Sequence, residues 1–211
     1  MRKLNRPVGL VFIMYRKIQR REQILDAALH IIVRNGYHQS RMDDIVSKSG
    51  LSKGAIYWYY KSKKDVYLDL VNHWVIRYSD SLLELPQEDI SAGEQLKNMF
   101  HTFFNQFEKD PIVFKALLEF WSLAGRDTDF NLKLEKVTYN FIQYIESIII
   151  KGVNSGEFKH VNPNIAALSI MVVIEGISWF TLFEKNGVSA KEYTDTVSNF
   201  ILSGLVKGNK S

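Results

Sequence analysis

The segment SKGAIYWYYKSK, residues 52–63, combines three lysines and three tyrosines with a glycine at position 54. It lies within residues 40–67, which read as a short helix, a turn at Gly50 and a second short helix. Such a pair of helices presents its second helix to the major groove of DNA. Lysine and tyrosine are side chains that bind phosphates, and lysine also reads guanine edges. The segment therefore predicts a DNA-binding helix–turn–helix.

The charge distribution agrees with a polyanionic partner at this end of the chain. Residues 1–64 hold 14 Lys or Arg against 4 Asp or Glu, whereas residues 65–211 hold 13 against 19. The net charge of +4 thus hides a basic N-terminal part and an acidic remainder. Because neutralised phosphates release counterions, the basic part favours DNA binding. The acidic part indicates a second task.

The apolar spacing predicts an all-α fold of about nine helices. The first helix runs from about Arg20 to Gly36, and Ser40, Ser52 and Ser62 are predicted to cap the next three. The fourth is expected to end near Leu85. The other predicted helices span 92–109, 111–126, 128–152, 165–185 and 189–207.

Three segments are expected. Residues 1–18 are interpreted as a flexible basic and apolar arm, with Met14 as a possible true start, because the apolar run from Val8 is short and lacks a cleavage site for a signal peptide. Residues 19–64 are expected to form a three-helix DNA-binding domain, and residues 65–211 a larger helical domain with a different task. No later run is long enough and free of charge to predict a membrane span.

Residues 20–70 resemble the TetR family of one-component transcriptional regulators. The similarity lies in a first helix ending in Gly and Tyr, a capped second helix, a glycine turn, and a run of the form [ST]-x-G-[TA]-[LI]-Y-x-Y-[FY]-x-[SN]-K. Val46, Ser49, Tyr60 and Lys61 depart from the usual residues without removing the pattern. The resemblance implies a homodimer, most often a repressor, that binds a near-palindromic operator with two recognition helices.

The resemblance also implies DNA contacts. Ser40, Arg41, Tyr57, Tyr59 and Lys63 are expected at phosphates, and Lys53 at a guanine edge, while Gly54 and Ala55 allow close approach. The predicted DNA-binding set is Ser40, Arg41, Ser52, Lys53, Gly54, Ala55, Tyr57, Trp58, Tyr59 and Lys63, of which Trp58 stands at a variable family position. The basic residues Arg16, Lys17, Arg20 and Arg21 are interpreted either as an arm on the DNA or as a disordered basic tail.

The second domain is expected to bind a small lipophilic effector between its aromatic side chains. The aromatic candidates are Trp74, Tyr78, Phe103, Phe107, Phe120, Trp121, Tyr144, Trp179 and Phe183. Glu119 and Glu175 lie in apolar runs, and a buried carboxylate needs a partner, so a cationic effector is one interpretation. The alternatives are an ordinary aromatic core, a surface Glu119 and a Glu175 paired at the dimer interface.

The last two helices are the expected dimer surface, joining the partner's pair in a four-helix bundle. The candidate residues are Ile165, Leu168, Val172, Val197, Phe200, Ile201 and Leu205. Burial of the same residues within the chain is the alternative.

Catalytic patterns do not support an enzyme. The chain has no Cys, its five His show no metal-ligand spacing, and it has neither a glycine-rich phosphate loop nor a nucleophile elbow. We therefore expect no cofactor and no metal, and the lack of Cys fits a cytoplasmic protein. The alternative function is a DNA-binding structural or cell-cycle protein of the same fold that senses no ligand.

Overall fold

The computed structural model describes the backbone of residues 8–83, 90–181 and 189–207, and the side chains of residues 14–73, 90–180, 189 and 191–207. Over these ranges it contains nine α-helices and one 3-10 helix, and the predicted all-α fold is confirmed. The helices are α1 (Val8–Gln39), α2 (Met42–Ser49), α3 (Lys53–Tyr59), α4 (Lys63–Leu83), α5 (Ala92–Lys109), α6 (Pro111–Ala124), α7 (Thr128–Asn154), α8 (Pro163–Glu175) and α9 (Ala190–Leu205), with the 3-10 helix at Gly176–Thr181. The chain divides into two compact units, Met1–His73 and Trp74–Ser211.

The first helix is longer than the sequence predicts. α1 begins at Val8 rather than near Arg20, so residues 8–19 continue the helix instead of forming an irregular segment. At its other end the regular helix breaks at Gly36, as expected, because that residue has φ 70° and ψ 167°. Residues 1–7 of the predicted arm lie outside the described residues.

The caps of the helix–turn–helix agree with prediction at three points and differ at one. Ser52 accepts a hydrogen bond from the Ala55 N–H, and Ser62 accepts one from the Asp65 N–H. Gly50 ends α2 with φ 68°, which glycine adopts without strain. The predicted cap at Ser40 was wrong. Its hydroxyl is buried and donates back to the Tyr37 carbonyl, while Asp44 accepts the Arg41 N–H and closes the start of α2.

The first unit has an aliphatic core with the spacing expected from the sequence. Ile24, Ala28 and Ile32 of α1 are almost fully buried, and so are Ile45 of α2 and Ile56 of α3. Burying one such side chain contributes about 1.5–3 kcal/mol, so this core fixes how the second and third helices are presented.

The second unit has its own core, in which α5, α7, α8 and α9 take part. Its fully or nearly buried members include Leu96, Met99, Ile145, Ile149 and Phe158. One stretch, Pro163–Phe180, is long and apolar enough to cross a membrane by length and composition alone, which is a weak indication because core helices pass the same test.

The predicted helix 165–185 is not continuous. α8 ends at Glu175, and the chain continues as a 3-10 helix from Gly176. The Tyr193 hydroxyl donates to the Val173 carbonyl and lies 2.8 Å from where a Cβ on Gly176 would stand. A contact from α9 therefore lies at the point where α8 gives way to the 3-10 helix. The predicted end at Lys185 lies outside the described residues.

Candidate DNA-binding surface and effector region

The third helix, α3, is two-faced. Ile56 is fully buried and Tyr60, which ends the helix, is 6% exposed, whereas Lys53, Gly54, Tyr57 and Trp58 are exposed. Helical geometry places positions 53, 54, 57 and 58 together on the side opposite the core. This side carries an ammonium group, a phenol and an indole around a glycine with open space at its Cβ position. These groups suit phosphates and base edges.

The ammonium of Lys53 has a partner within the unit. Its Nζ lies 2.7 Å from Asp43 Oδ1, and both side chains are largely exposed. The hydrogen bond that the Lys53 ammonium donates to Asp43 stabilises the charged form and raises the pKa of Lys53. An exposed ion pair of this kind contributes little to stability, and a phosphate or a guanine edge can replace the carboxylate at small cost.

Two predicted phosphate contacts have side chains that are engaged elsewhere. The Ser40 side chain is buried, as described above. Lys63 Nζ donates to the carbonyls of Tyr37 and Ser40, both at 2.7 Å, and stands 4.5 Å from the centroid of the Tyr37 ring. Burial lowers the pKa of Lys63. The ammonium thus satisfies the carbonyls that follow the break at Gly36, and its phosphate contact stays a prediction. Arg41, in contrast, is exposed.

A side-chain network ties the end of α3 to α1 and α4. Arg21 donates through Nε and Nη2 to the two oxygens of Asp69, at 2.8 and 2.6 Å. The Tyr60 hydroxyl donates to Asp69 Oδ2 at 2.6 Å. Burial raises the pKa of Asp69, but the hydrogen bonds from Arg21 and Tyr60 outweigh it and hold that pKa below its usual value. Arg21 is therefore part of the scaffold.

The predicted effector residues do not form one described pocket. The side chains of Trp74 and Tyr78, and all of Phe183, lie outside the described residues. Phe120 is fully buried and stacks on Phe130. Phe103 packs edge-on against Phe141, and Phe107 against Phe114. Tyr144 and Glu119 are half-buried, while Trp121 and Trp179 are exposed.

The described part of the second unit holds a cavity of about 10 Å³, the volume of a single water. Its lining residues are Phe100, Phe103, Val173, Ile174, Ile177, Tyr193, Thr194 and Val197. Only Phe103 of the predicted pocket residues is among them. The space lies among α5, α8 and α9 and is nearly all apolar.

Glu175, at the end of α8, is half-buried between apolar neighbours. Burial raises its pKa to about 7. This pKa lies above the value of about 4.3 in the unfolded chain. As pH rises from about 4 to 7, Glu175 loses its proton more readily in the unfolded chain than in the folded one, so the free energy of unfolding falls over this range.

Replacing Glu175 by glutamine should remove this loss. Glu175→Gln should match the parent protein near pH 4.5 and unfold at a higher temperature at pH 8, as measured by thermal scans at both pH values. Glu192→Gln, at an exposed acid of α9, is the control and should change the melting temperature equally at the two pH values. An equal shift for Glu175→Gln would contradict the raised pKa.

Several predicted dimer residues are exposed in the single chain. Ile165, Leu168 and Val172 recur at helical spacing along α8, and Phe200 of α9 is 78% exposed. The remaining three differ: Val197 and Ile201 are half-buried, and Leu205 is buried in the core of the second unit. A dimer surface therefore rests on the other six residues.

Sequence reasoning did not identify the acidic partners of Lys53, Arg21 and Tyr60 in the first unit. Asp43 pairs with Lys53 across two helices, and Asp69 joins Arg21 to Tyr60. Neither ion pair could be predicted from spacing within one helix, because Asp43 and Lys53 are 10 residues apart and Arg21 and Asp69 are 48 residues apart.

Comparison with known proteins places this geometry in context. The sequence model of the family described as "Bacterial regulatory proteins, tetR family" matches residues 24–70. The Fatty acid metabolism regulator protein of Bacillus subtilis (strain 168) is 26% identical over 189 residues, covering 88% of this chain and 93% of that protein. A transcriptional regulator from Saccharomonospora viridis in complex with choline has a TM-score of 0.80 at 23% identity, covering 90% of this chain and 99% of that one. FadR from Bacillus subtilis in complex with stearoyl-CoA has a TM-score of 0.72 at 23% identity, covering 87% and 98%.

Proposed function

We propose that this chain, which belongs to the TetR family of DNA-binding transcriptional regulators, is a homodimeric repressor that leaves a near-palindromic operator when a lipophilic effector binds. The observation that carries the proposal is the exposed side of α3, where Lys53, Gly54 and Tyr57 stand together above a buried Ile56. A short helix held by its apolar side and exposing cationic and phenolic groups is suited to a major groove. No catalytic role is proposed for any residue.

Two copies of the chain are part of the proposal. The exposed apolar side chains of α8 and α9 form a surface that water solvates poorly, and a two-fold related copy would cover it with the same residues. A dimer of this kind presents two copies of α3, which is why the operator is proposed to be near-palindromic. The exposed apolar side chains of the stretch Pro163–Phe180 are assigned to this dimer surface rather than to a membrane span. The protein is assigned to the bacterial cytoplasm, where the operator DNA is.

The effector is proposed to carry a long acyl chain. The second unit supplies an apolar interior around Phe100 and Phe103, between α5 and α8, that can open along its small cavity. The Fatty acid metabolism regulator protein and the stearoyl-CoA complex of FadR support this ligand class by analogy. The candidate aromatic residues that lie nearest to this interior are Phe103 and, through its contact with Phe141, Tyr144.

A cationic effector is the second candidate. Glu175 is a half-buried carboxyl whose ionisation an apposed cation would favour. The similar structure in complex with choline supports this class by analogy. Binding of a cation would lower the pKa of Glu175, so its affinity would rise with pH between about 6 and 8.

Operator binding tests the regulator function. An operator selected from random duplexes is labelled, and binding of the purified protein is followed by fluorescence anisotropy. Lys53→Ala with Tyr57→Ala should weaken binding by at least about 100-fold, because a specific DNA contact is worth about 1–3 kcal/mol and the variant removes two from each protomer. Asp43→Asn frees Lys53 from its carboxylate and should tighten binding. Lys136→Ala, at an exposed lysine of α7, is the matched control.

The outcomes separate the candidate functions. Equal affinity for selected and scrambled duplexes would contradict a sequence-specific regulator. Specific binding that stearoyl-CoA abolishes supports the acyl effector, whereas release by choline that Glu175→Gln prevents supports the cationic one. Specific binding that neither ligand affects would favour the ligand-independent DNA-binding protein.

A further inference from the structure

The early part of α1 carries a polar stripe. Arg16, Gln19, Arg20 and Gln23 follow the spacing i, i+3, i+4 and i+7, so they lie on one side of the helix, and all four are exposed. They line a cleft of about 450 Å³ whose other wall is Gly50 and Leu51. The cleft therefore lies between α1 and the turn that leads from α2 into α3.

The chemistry of this cleft is that of an anion site. Its side-chain groups are two guanidiniums and two amides, and no acid is among the lining residues. Guanidinium forks match the oxygens of a phosphate in geometry and charge. Gln23 donates through Nε2 to the Ser49 carbonyl at 2.7 Å, which fixes the helix against the end of α2 and holds the cleft open at that side.

A second contact holds the same part of α1 beside the recognition helix. Lys17 Nζ stands 5.3 Å from the centroid of the Trp58 ring, and Trp58 is 64% exposed on the outer side of α3. A cation over an indole is attracted by the electron-rich face of the ring. The α1 residues around the cleft thus touch the structure at both ends of α3, at Trp58 and at the turn just before Lys53.

From this placement, and resting on the proposed operator binding, we infer that the cleft between α1 and the Gly50–Leu51 turn binds a backbone phosphate of the operator, through Arg16 and Arg20. When α3 lies in a major groove, the sugar–phosphate strands border that groove, and the cleft opens beside the start of α3. The four basic residues near the start of α1 therefore divide by task. Arg16 and Arg20 hold DNA, Lys17 positions α1 on Trp58, and Arg21 is held by Asp69.

The salt dependence of operator binding tests this inference. Affinities are measured by anisotropy from about 50 to 300 mM NaCl for the parent protein and for Arg16→Gln/Arg20→Gln. Removing one phosphate interaction should make the slope of log K against log salt shallower by about 0.9, so the slope of a dimer should change by about 2. The variant should weaken binding to selected and scrambled duplexes by the same factor, because phosphate interactions carry no sequence information.

Two controls make the result specific. Arg34→Gln removes one guanidinium of the same type from α1, at 14 residues and about 21 Å from Arg20, and should leave the slope unchanged. Lys53→Ala should instead reduce the ratio of the affinity for the selected duplex to the affinity for the scrambled duplex. Circular dichroism checks that each variant is folded. We expect folded variants, because the substituted positions are exposed.

An unchanged slope for the double variant, or a change equal to that of Arg34→Gln, would overturn the inference. Inorganic phosphate that competes with DNA only in the parent protein, at constant ionic strength, would support an anion site in the cleft. A parent protein that binds no duplex at all would instead contradict the proposed regulator function.

Discussion

Replacing Gly152 by alanine should lower the free energy of unfolding of the second unit by about 1–2 kcal/mol, although alanine is the better helix former. A Cβ at Gly152, in α7, would overlap Cδ2 of Phe158 and would also stand too close to two other atoms of the ring. Phe158 is fully buried, so the ring has no free space into which to move. Overpacking of this kind costs typically about 1–3 kcal/mol and occasionally more, against a gain of about 1 kcal/mol in helix propensity.

This close approach matters because the segment after α7 joins three helices. Glu157 accepts hydrogen bonds from the N–H groups of Ala92 and Gly93, which begin α5. Next to it, the Lys159 N–H donates to the Leu205 carbonyl, and the Lys207 N–H donates to the Glu157 carbonyl. A displaced Phe158 would loosen the ends of α5 and α9 together. Because α9 carries part of the proposed dimer surface, we expect the variant to dimerise more weakly as well.

Chemical unfolding and analytical ultracentrifugation measure these two effects. Gly204→Ala is the control, since its Cβ would meet nothing within 4 Å in the chain, and it should leave the unfolding free energy unchanged or raise it. Gly152→Ala combined with Phe158→Leu should lose less than the sum of the single variants, because a smaller side chain makes room. A Gly152→Ala protein as stable as the Gly204→Ala protein would contradict the close approach.

Local signals predicted most of the helices and which side of α3 is exposed, while the binding of DNA by that side stays a prediction. Ser52 and Ser62 cap helices where the sequence indicated, and α5 spans the expected residues 92–109. Capping and helical periodicity are properties of neighbouring residues, so they can be read from one sequence. The same holds for the exposed positions of α3, because burial of Ile56 and Tyr60 fixes which side faces outwards.

Contacts between distant residues were not predictable in this way. The break after Glu175 coincides with a hydroxyl from Tyr193, and the position of the Lys63 ammonium depends on the carbonyls of Tyr37 and Ser40, which follow the break at Gly36. Both depend on tertiary packing, which gives no local pattern. The start of α1 was missed for a different reason, because its apolar run resembles a targeting or disordered segment by composition. The division of functions between the two parts of the chain stays a prediction.

Replacing Asp69 by alanine should lower the stability of the first unit by about 2–3 kcal/mol and weaken the proposed operator binding. The carboxylate accepts three hydrogen bonds, two from Arg21 and one from Tyr60. Its removal leaves a partly buried guanidinium and a buried hydroxyl without their acceptor, which costs more than the bonds themselves contribute. Arg21 is about one-third exposed, so water compensates part of the loss.

The effect should reach DNA through the end of the recognition helix. Tyr60 ends α3, and its hydroxyl bond to Asp69 ties that end to α4. Without the bond from Tyr60 to Asp69, the burial of Ile56 and the cap at Ser52 hold α3. The exposed side of α3 is then oriented less firmly relative to α1 and α4. We expect Tyr60→Phe, which removes one of the three bonds, to cost about 1 kcal/mol and to weaken operator binding less than Asp69→Ala does.

The pH dependence distinguishes an ion pair from simple packing. Because the pKa of Asp69 is lowered in the folded state, its contribution is fully present above the unfolded value of about 3.9 and is lost as pH falls through the folded value. The difference in unfolding free energy between the parent protein and Asp69→Ala should therefore be constant from about pH 5 to 8 and shrink below about pH 4. Asp26→Ala, at an exposed acid of α1, should show a small difference throughout. A gap between Asp69→Ala and the parent that is equally large at pH 3 and pH 7 would assign the loss to packing and remove the ion pair as the element that orients α3.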